Sequence, residues 1–327
     1  MLRFDDRVAV ITGATHGIGR AYALMLASRG AKIVINCRRE NEAAKEVQNL
    51  VADAGSQALV VAGDIGLAKT ANEIVDAAID TWGRVDIAIS NAAGHAPSSR
   101  AHDDVSATVD AWFDVHVRAT LRMHHAVWPH MKRQKYGRLL ATGSAVGVGY
   151  CALRGGYLVD YALCKSSLFG LVRQTGAEGV ADNITCNMVL PWAYTKMVSE
   201  AIAGTELGDW MQANVRSEQV AAAVAPLIHE SCRVTGETIS AGGGRVARVM
   251  FASTRGIFDP DLTPETVAAQ WDEIMGTTGP DGTLLETFEL TQPREEAVMG
   301  IMLEEGRIPE LPVIAGLPLK SGSKKME

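Results

Sequence analysis

Apolar runs and helical patterns alternate over the first 245 residues of this 327-residue chain. Short, largely β-branched runs stand at Arg7–Thr12, Ala31–Asn36, Gln57–Ala62, Val85–Ser90, Arg138–Thr142, Ile184–Leu190 and Glu237–Ser240. Between them, apolar residues recur at helical spacing over Ile18–Arg29, Glu40–Ala54, Ala68–Trp82, about Asp103 to Arg133, Tyr157–Glu178 and Ser217–Glu230. The strand runs are continuous rather than alternating, as in strands buried on both faces. Repeated strand-then-helix order predicts an α/β fold built on a doubly wound parallel sheet. Trp128-Pro129 predicts a kink or boundary in the long fourth helix.

The pattern breaks after Gly242-Gly243-Gly244, and residues 259–327 hold seven of the chain's 11 prolines. Within that stretch, Thr263-Pro264-Glu265-Thr266 predicts a helix start, with proline at the first helical position, running through Ile274. The expected organisation is one main α/β domain over 1–245, the part that carries the candidate chemistry. An extension over 246–327 is expected to pack on or near the substrate cleft.

Composition narrows the function classes. Apolar residues make up 47% and charged residues 21%, which excludes wholesale disorder. The net charge of −7 makes nucleic acid or an anionic membrane surface a poor partner. No apolar run approaches the ~20 residues of a membrane span, and Met1–Asp6 does not begin a secretory signal. Five cysteines without a C-x-x-C pair argue against a disulfide framework or a zinc site and fit a cytoplasmic location. His124, His125 and His130 give no metal-like spacing, so no metal is expected.

The candidate chemistry starts at Thr12-Gly13-Ala14-Thr15-His16-Gly17-Ile18-Gly19, between the first strand and the first helix. Gly13 allows a sharp turn, Gly17 a close backbone approach to a ligand, and Gly19 close helix packing. Free N–H groups at the helix start then face a pyrophosphate. The second strand ends Asn36-Cys37-Arg38-Arg39, with no acid to bind a ribose 2′-hydroxyl until Glu40. The Arg38 guanidinium can pair with a 2′-phosphate, which favours NADP(H) over NAD(H). Alternatively, Arg38 and Arg39 simply solvate a helix start.

Further along, Tyr161-Ala162-Leu163-Cys164-Lys165 places a phenol and an ammonium four residues apart on one helix face. The ammonium is expected to lower the phenol's pKa from ~10, fitting Tyr161 for general acid–base work. Ser144, at the end of the fifth strand, can hold the substrate oxygen.

These motifs resemble the short-chain dehydrogenase/reductase family over about residues 5–245, which implies a Rossmann-type fold and a nicotinamide cofactor. By that resemblance, Asn91-Ala92-Ala93-Gly94 supports the sheet and lines the nicotinamide-ribose side. Asp64-Ile65 contacts the adenine, and Lys165 binds the ribose hydroxyls. Thr195, after Pro191, contacts the carboxamide. His116 takes the place of the family's fourth catalytic residue, an asparagine; a proton-relay role and a structural one both stay open. Trp192 replaces a usual glycine and narrows the cleft or supplies an aromatic wall. Residues 196–216 form a substrate lid or a plainly packed helix. Ser144 and Tyr161 are seventeen residues apart, more than the family's usual interval, which implies an insertion over Val148–Gly156. Tyr157 there either contacts substrate or starts a helix. His16 counts against NADP(H), since NADP-preferring relatives carry Arg or Lys there.

Longer segments are similar to the (3R)-hydroxyacyl-CoA dehydrogenase domain of type 2 multifunctional β-oxidation enzymes, also called 17β-hydroxysteroid dehydrogenase type 4. They are Trp128–Arg138, Gly176–Gly179, Asn183–Asn187, His229–Cys232 and Phe258–Pro264. That branch commonly uses NAD and carries histidine at the place of His116. No hydratase or sterol-carrier segment follows, so a stand-alone dehydrogenase is expected. Its substrate would be a hydrophobic alcohol or ketone, an acyl thioester or a steroid-like compound. A dimer or tetramer is expected through the long helices. A catalytically silent cofactor sensor and a reductase for carrier-protein-bound ketones are the competing possibilities.

Overall fold

A computed structural model describes residues 1–94, 104, 106–149, 159–253, 256–257, 259–276 and 288–289. Strands β1 (Val8–Ile11), β2 (Lys32–Cys37), β3 (Ala58–Ala62), β4 (Ile87–Ser90), β5 (Gly137–Thr142), β6 (Ile184–Pro191), β7 (Thr238–Gly242) and β8 (Arg245–Val249) form one sheet in the order 3-2-1-4-5-6-7-8. The first seven are parallel. The eighth runs antiparallel as an edge strand, and the continuous-run criterion missed it because two arginines interrupt Arg245–Val249 and none of its residues is buried. The doubly wound α/β fold expected from the sequence is the fold observed.

Alternation along each strand divides the core into two layers. Ala9, Ile11, Ile33, Ile35, Ile87, Ile89 and Leu140 face one side, where α1 (Gly17–Ala27), α2 (Glu42–Asp53) and α9 (Ser217–Ile228) pack. Val8, Val10, Val34, Ala88, Leu139 and Ala141 face the other, against α3 (Thr70–Trp82), α5 (Ala119–Gln134) and α6 (Val159–Gly179). Strand order reverses at β1, between β2 and β4, and this opens a crevice at the carboxyl ends of the strands.

The long fourth helix is interrupted, though not at Pro129. Helix α4 (Ser106–Phe113) runs into a π-helical turn, Asp114–Arg118, before α5. Pro129 sits inside α5, which continues to Gln134. A π turn inserts one residue into the helical repeat, so the interruption comes from hydrogen-bond register and not from a missing N–H.

Two compact units are present, Met1–Val249 and Met250–Glu327. In the second, α10 (Pro264–Ala269) starts as predicted. Thr263 caps it, its side chain accepting from the Thr266 N–H at 3.1 Å. The single helix expected through Ile274 divides at Gln270, and α11 covers Trp271–Met275.

Candidate active site

The turn after β1 is built around two glycines that no other residue could replace without displacement. Gly13 has φ +64°, and a Cβ there would stand 2.9 Å from the Ala92 Cα. At Gly19 a Cβ would overlap the Gly13 carbonyl oxygen and lie 2.6 Å from the Asn91 Nδ2. Asn91 therefore braces the turn: its amide donates to the carbonyls of Thr12 at 3.0 Å and Gly13 at 3.3 Å. The Thr12 hydroxyl accepts from the N–H groups of Asn91 and Ala92, both at 2.9 Å. Gly94 packs against Val115, at the π turn.

Helix α1 opens at Gly17 with extended His16 as its N-cap. No side chain caps it, although the Thr15 hydroxyl and the His16 Nδ1 pair at 2.8 Å. Its first-turn N–H groups have no intrahelical acceptors. Gly17 bares the backbone, and a Cβ there would lie 3.5 Å from the Thr195 Cγ2. Uncapped N–H donors, the positive end of the helix and a position without a side chain suit a dinucleotide pyrophosphate. The residues fit the group that the motif implies, with Ile18 and Thr195 at its margin.

At the neighbouring strand ends, Cys37 closes β2 and is buried, and Arg38 is exposed. The Arg38 Nε lies 3.7 Å from the Asp64 Oδ2. Asp64 also accepts from the Gly66 N–H at 2.9 Å, and its carbonyl accepts from the Thr70 hydroxyl at 2.7 Å, which fixes the turn that carries Ile65. Arg122 reaches from α5 to donate to the Gly66 carbonyl at 2.6 Å. A 2′-phosphate held by Arg38 would thus have to share it with a carboxylate, a competition not visible in the sequence.

Ser144, Tyr161, Lys165 and His116 come together beyond β5. Ser144 caps a 3-10 turn, Ala145–Val148, by accepting from the Val146 N–H at 3.2 Å. That turn is pressed onto α6: a Cβ on Gly147 would lie 2.7 Å from the Lys165 carbonyl carbon, and the Ser166 hydroxyl donates to the Gly147 carbonyl at 2.5 Å. The Lys165 Nζ lies 5.6 Å from the Tyr161 ring centroid and donates to the Thr142 carbonyl at 2.7 Å. Burial pushes this ammonium down to about 8.

Burial also raises the Tyr161 phenol above its ordinary range. A hydrogen bond with Ser144 acts in the opposite direction, and nearby Cys164 adds to the rise. The expected lowering by Lys165 is therefore corrected. Desolvation dominates in this arrangement, and Ser144 rather than the ammonium is the group that favours the phenolate.

His116 is buried in the π turn. Its ring stacks on Trp112 at 5.4 Å and meets Tyr161 edge-on at 5.6 Å. Trp112 lies 5.1 Å from the Tyr161 ring, which closes an aromatic triangle. Burial, assisted by the Lys165 charge, lowers His116 to about 2, so its imidazole is neutral. Neither ring nitrogen has a hydrogen-bond partner among the described residues. Trp112 went unremarked as a site residue, although its spacing of four from His116 was the available signal.

Trp192 follows Pro191 at the end of β6. Its ring lies over Gly243, where a Cβ would approach the Cζ3 at 2.8 Å, and 5.9 Å from Trp210. Both indoles are half exposed, at 45% and 48%. The segment after it forms α7 (Lys196–Ile202) and α8 (Glu206–Asn214). Ile202, Met211 and Val215 make a small core of their own there, and the Tyr194 N–H donates to the Val215 carbonyl at 2.7 Å across its base. Leu207 is exposed. Tyr157 and most of Val148–Gly156 lie outside the described residues.

A model of the short chain dehydrogenase family matches residues 7–205. The mouse peroxisomal multifunctional enzyme type 2 is 32% identical over 288 residues, covering 84% of this chain and 37% of that protein. A Mycobacterium tuberculosis protein named among the short-chain type dehydrogenases/reductases is 32% identical over 285 residues, covering 84% of this chain and 96% of its own length. The solved full-length peroxisomal multifunctional enzyme type 2 of Drosophila melanogaster superposes with a TM-score of 0.73 at 26% identity, over 93% of this chain and 50% of that one. The chain thus spans half or less of these two multifunctional enzymes. Among the described residues, no helix is long and apolar enough to cross a membrane.

Proposed function

The chain belongs to the short-chain dehydrogenase family, and on that premise we propose that it interconverts a secondary alcohol and a ketone on a hydrophobic 3-hydroxyacyl thioester. The observation that carries this reading is the convergence of Ser144, Tyr161 and Lys165 beside a glycine turn fit for a dinucleotide. When bound, a nicotinamide dinucleotide supplies the hydride acceptor or donor. Tyr161 gives its phenolic proton to the substrate oxygen in reduction and recovers it in oxidation. Ser144 holds that oxygen with the hydroxyl that also meets the phenol. Lys165, anchored on the Thr142 carbonyl, brings positive charge to the ribose hydroxyl side. His116, neutral and with free ring nitrogens among the described residues, holds a water that continues the proton path. Trp192 and Trp210 offer aromatic surface to an acyl chain.

Arg38 supports NADP(H), and its pairing with Asp64 moderates that preference. Half-exposed Leu121 on α5 and Leu163 on α6 are apolar surface suited to a homo-oligomer through these helices. The multifunctional enzymes of mouse and Drosophila melanogaster carry peroxisomal names, which does not support a cytoplasmic location.

The deciding experiment assays 3-hydroxydecanoyl-CoA with NAD+ and with NADP+, in the wild-type protein and in Tyr161→Phe. Turnover by the wild type and its loss in the variant support the proposal. Equal turnover by both overturns it.

A further inference from the structure

Asp160, directly before Tyr161, is a fully buried carboxylate that the chemistry above does not use. It stands in the first turn of α6, where backbone N–H groups lack intrahelical acceptors. Its Oδ1 accepts from the Tyr161 N–H at 3.0 Å, and its Oδ2 accepts from the Thr108 hydroxyl of α4 at 2.9 Å. Helix α4 also carries Trp112 and runs directly into the π turn that carries His116. One buried carboxylate therefore joins the backbone of Tyr161 to the helix that presents two of its ring neighbours. A buried polar side chain is costly unless it is hydrogen-bonded, and both oxygens of Asp160 find their partners across this junction.

We propose that Asp160 and Thr108 are positioning residues that set the Tyr161 ring against Trp112, His116 and Ser144. The inference rests on the proposed role of Tyr161. Its mechanism is geometric: without the tie, α4 and the start of α6 are free to shift, and the phenol leaves the place where Ser144 meets it. A displacement of ~1 Å can cost about 100-fold in rate. Besides Asp160, the ionisable groups around the Tyr161 ring among the described residues are Cys164 and Lys165 on α6 and His116 on the π turn.

The test is Thr108→Val, which removes one hydroxyl at constant shape, with Thr108→Ser as the rescue and Asp160→Asn as a second probe of the same tie. Two readouts are taken: turnover of 3-hydroxydecanoyl-CoA, and hydrogen exchange of the amides at the start of α6. Thr108→Val is expected to lower kcat roughly tenfold, a loss of about 1.4 kcal/mol in transition-state stabilisation. The KM for the dinucleotide stays unchanged, the α6 amides exchange faster, and Thr108→Ser restores both. Faster exchange with unchanged kcat would reduce the pair to a structural tie and overturn the inference, and so would unchanged exchange. If wild-type and Tyr161→Phe proteins turn over equally, the functional reading fails instead, and the exchange result still decides whether the tie exists.

Discussion

The Lys165 Nζ sits 5.6 Å from the Tyr161 ring centroid and donates a hydrogen bond to the Thr142 carbonyl 2.7 Å away. The ammonium is buried, and burial holds it at about 8, below the 10.5 of a free lysine. Below pH 8 both folded and unfolded chains are protonated at this site, and the folded state bears the full cost of burying the charge. Between 8 and 10.5 the folded state sheds the proton first, so stability from this group rises with pH. Lys165→Met is therefore expected to be inactive yet more stable at pH 7, by about 3 kcal/mol at most, offset by the lost hydrogen bond. Its advantage should shrink between pH 8 and 10.5, and denaturant titrations across that range check the sign.

Tyr161→Phe should lower kcat/KM by roughly 10²–10⁴-fold, the usual worth of a positioned proton donor. Ser144→Ala should lower it as well and also raise the Tyr161 pKa, because the Ser144 hydrogen bond is what holds the phenol down. In ketone reduction, where Tyr161 must be protonated, the alkaline limb of the kcat/KM profile would then move upward. A downward move would mean that Ser144 does not favour the phenolate.

His116 should leave no mark on the pH profile between 5 and 8, because burial keeps it neutral there. His116→Ala is expected to lower kcat without shifting either limb. A new acidic limb near 6.5 in the wild type, absent from the variant, would show that the imidazole titrates.

Arg38→Ala should weaken NADPH binding by about 10–100-fold, the worth of one charged hydrogen bond, and leave NADH nearly unchanged. Asp64→Asn releases Arg38 from its carboxylate neighbour and should raise the NADPH-to-NADH affinity ratio. Side-by-side fluorescence titrations read both, and an unmoved ratio in the two variants would dismiss Arg38 as the discriminating group.

Two glycines separate crowding from mere flexibility. Gly19→Ala drives a methyl into the Gly13 carbonyl and the Asn91 amide, and should cost roughly 1–3 kcal/mol along with cofactor affinity. Gly170→Ala, in α6 with open space around it, should be neutral or stabilising by up to ~1 kcal/mol. Thermal melts of the two variants should move in opposite directions.

The parts of this molecule that are dictated locally were legible beforehand. The central parallel strands, β1, β2, β4, β5 and β6, announced themselves as apolar runs because both of their faces are buried. The glycine turn and the Tyr161/Lys165 spacing are short-range patterns that one strand end or one helix face imposes. What escaped depends on partners distant in the chain. The Arg38–Asp64 approach joins residues 26 positions apart, and the Thr108–Asp160 bond joins residues 52 apart. The ionisation of Tyr161 follows from how much of the protein surrounds it, which the spacing to Lys165 does not encode. Pro129 misled for a related reason. Pro129 lies on the exposed face of α5, which continues through it to Gln134, whereas a π turn leaves no residue signature.

The π turn at Asp114–Arg118 has an evolutionary corollary. Its one surplus residue puts α4 and α5 out of phase by ~100°, so each helix offers a different stripe to its neighbours. Deleting a single residue there would bring α4 and α5 back into one helical register. It would also rotate Thr108 and Trp112 away from α6 together. In this scaffold, a one-codon deletion far from the nucleotide turn is therefore a short route from an active enzyme to an inert one.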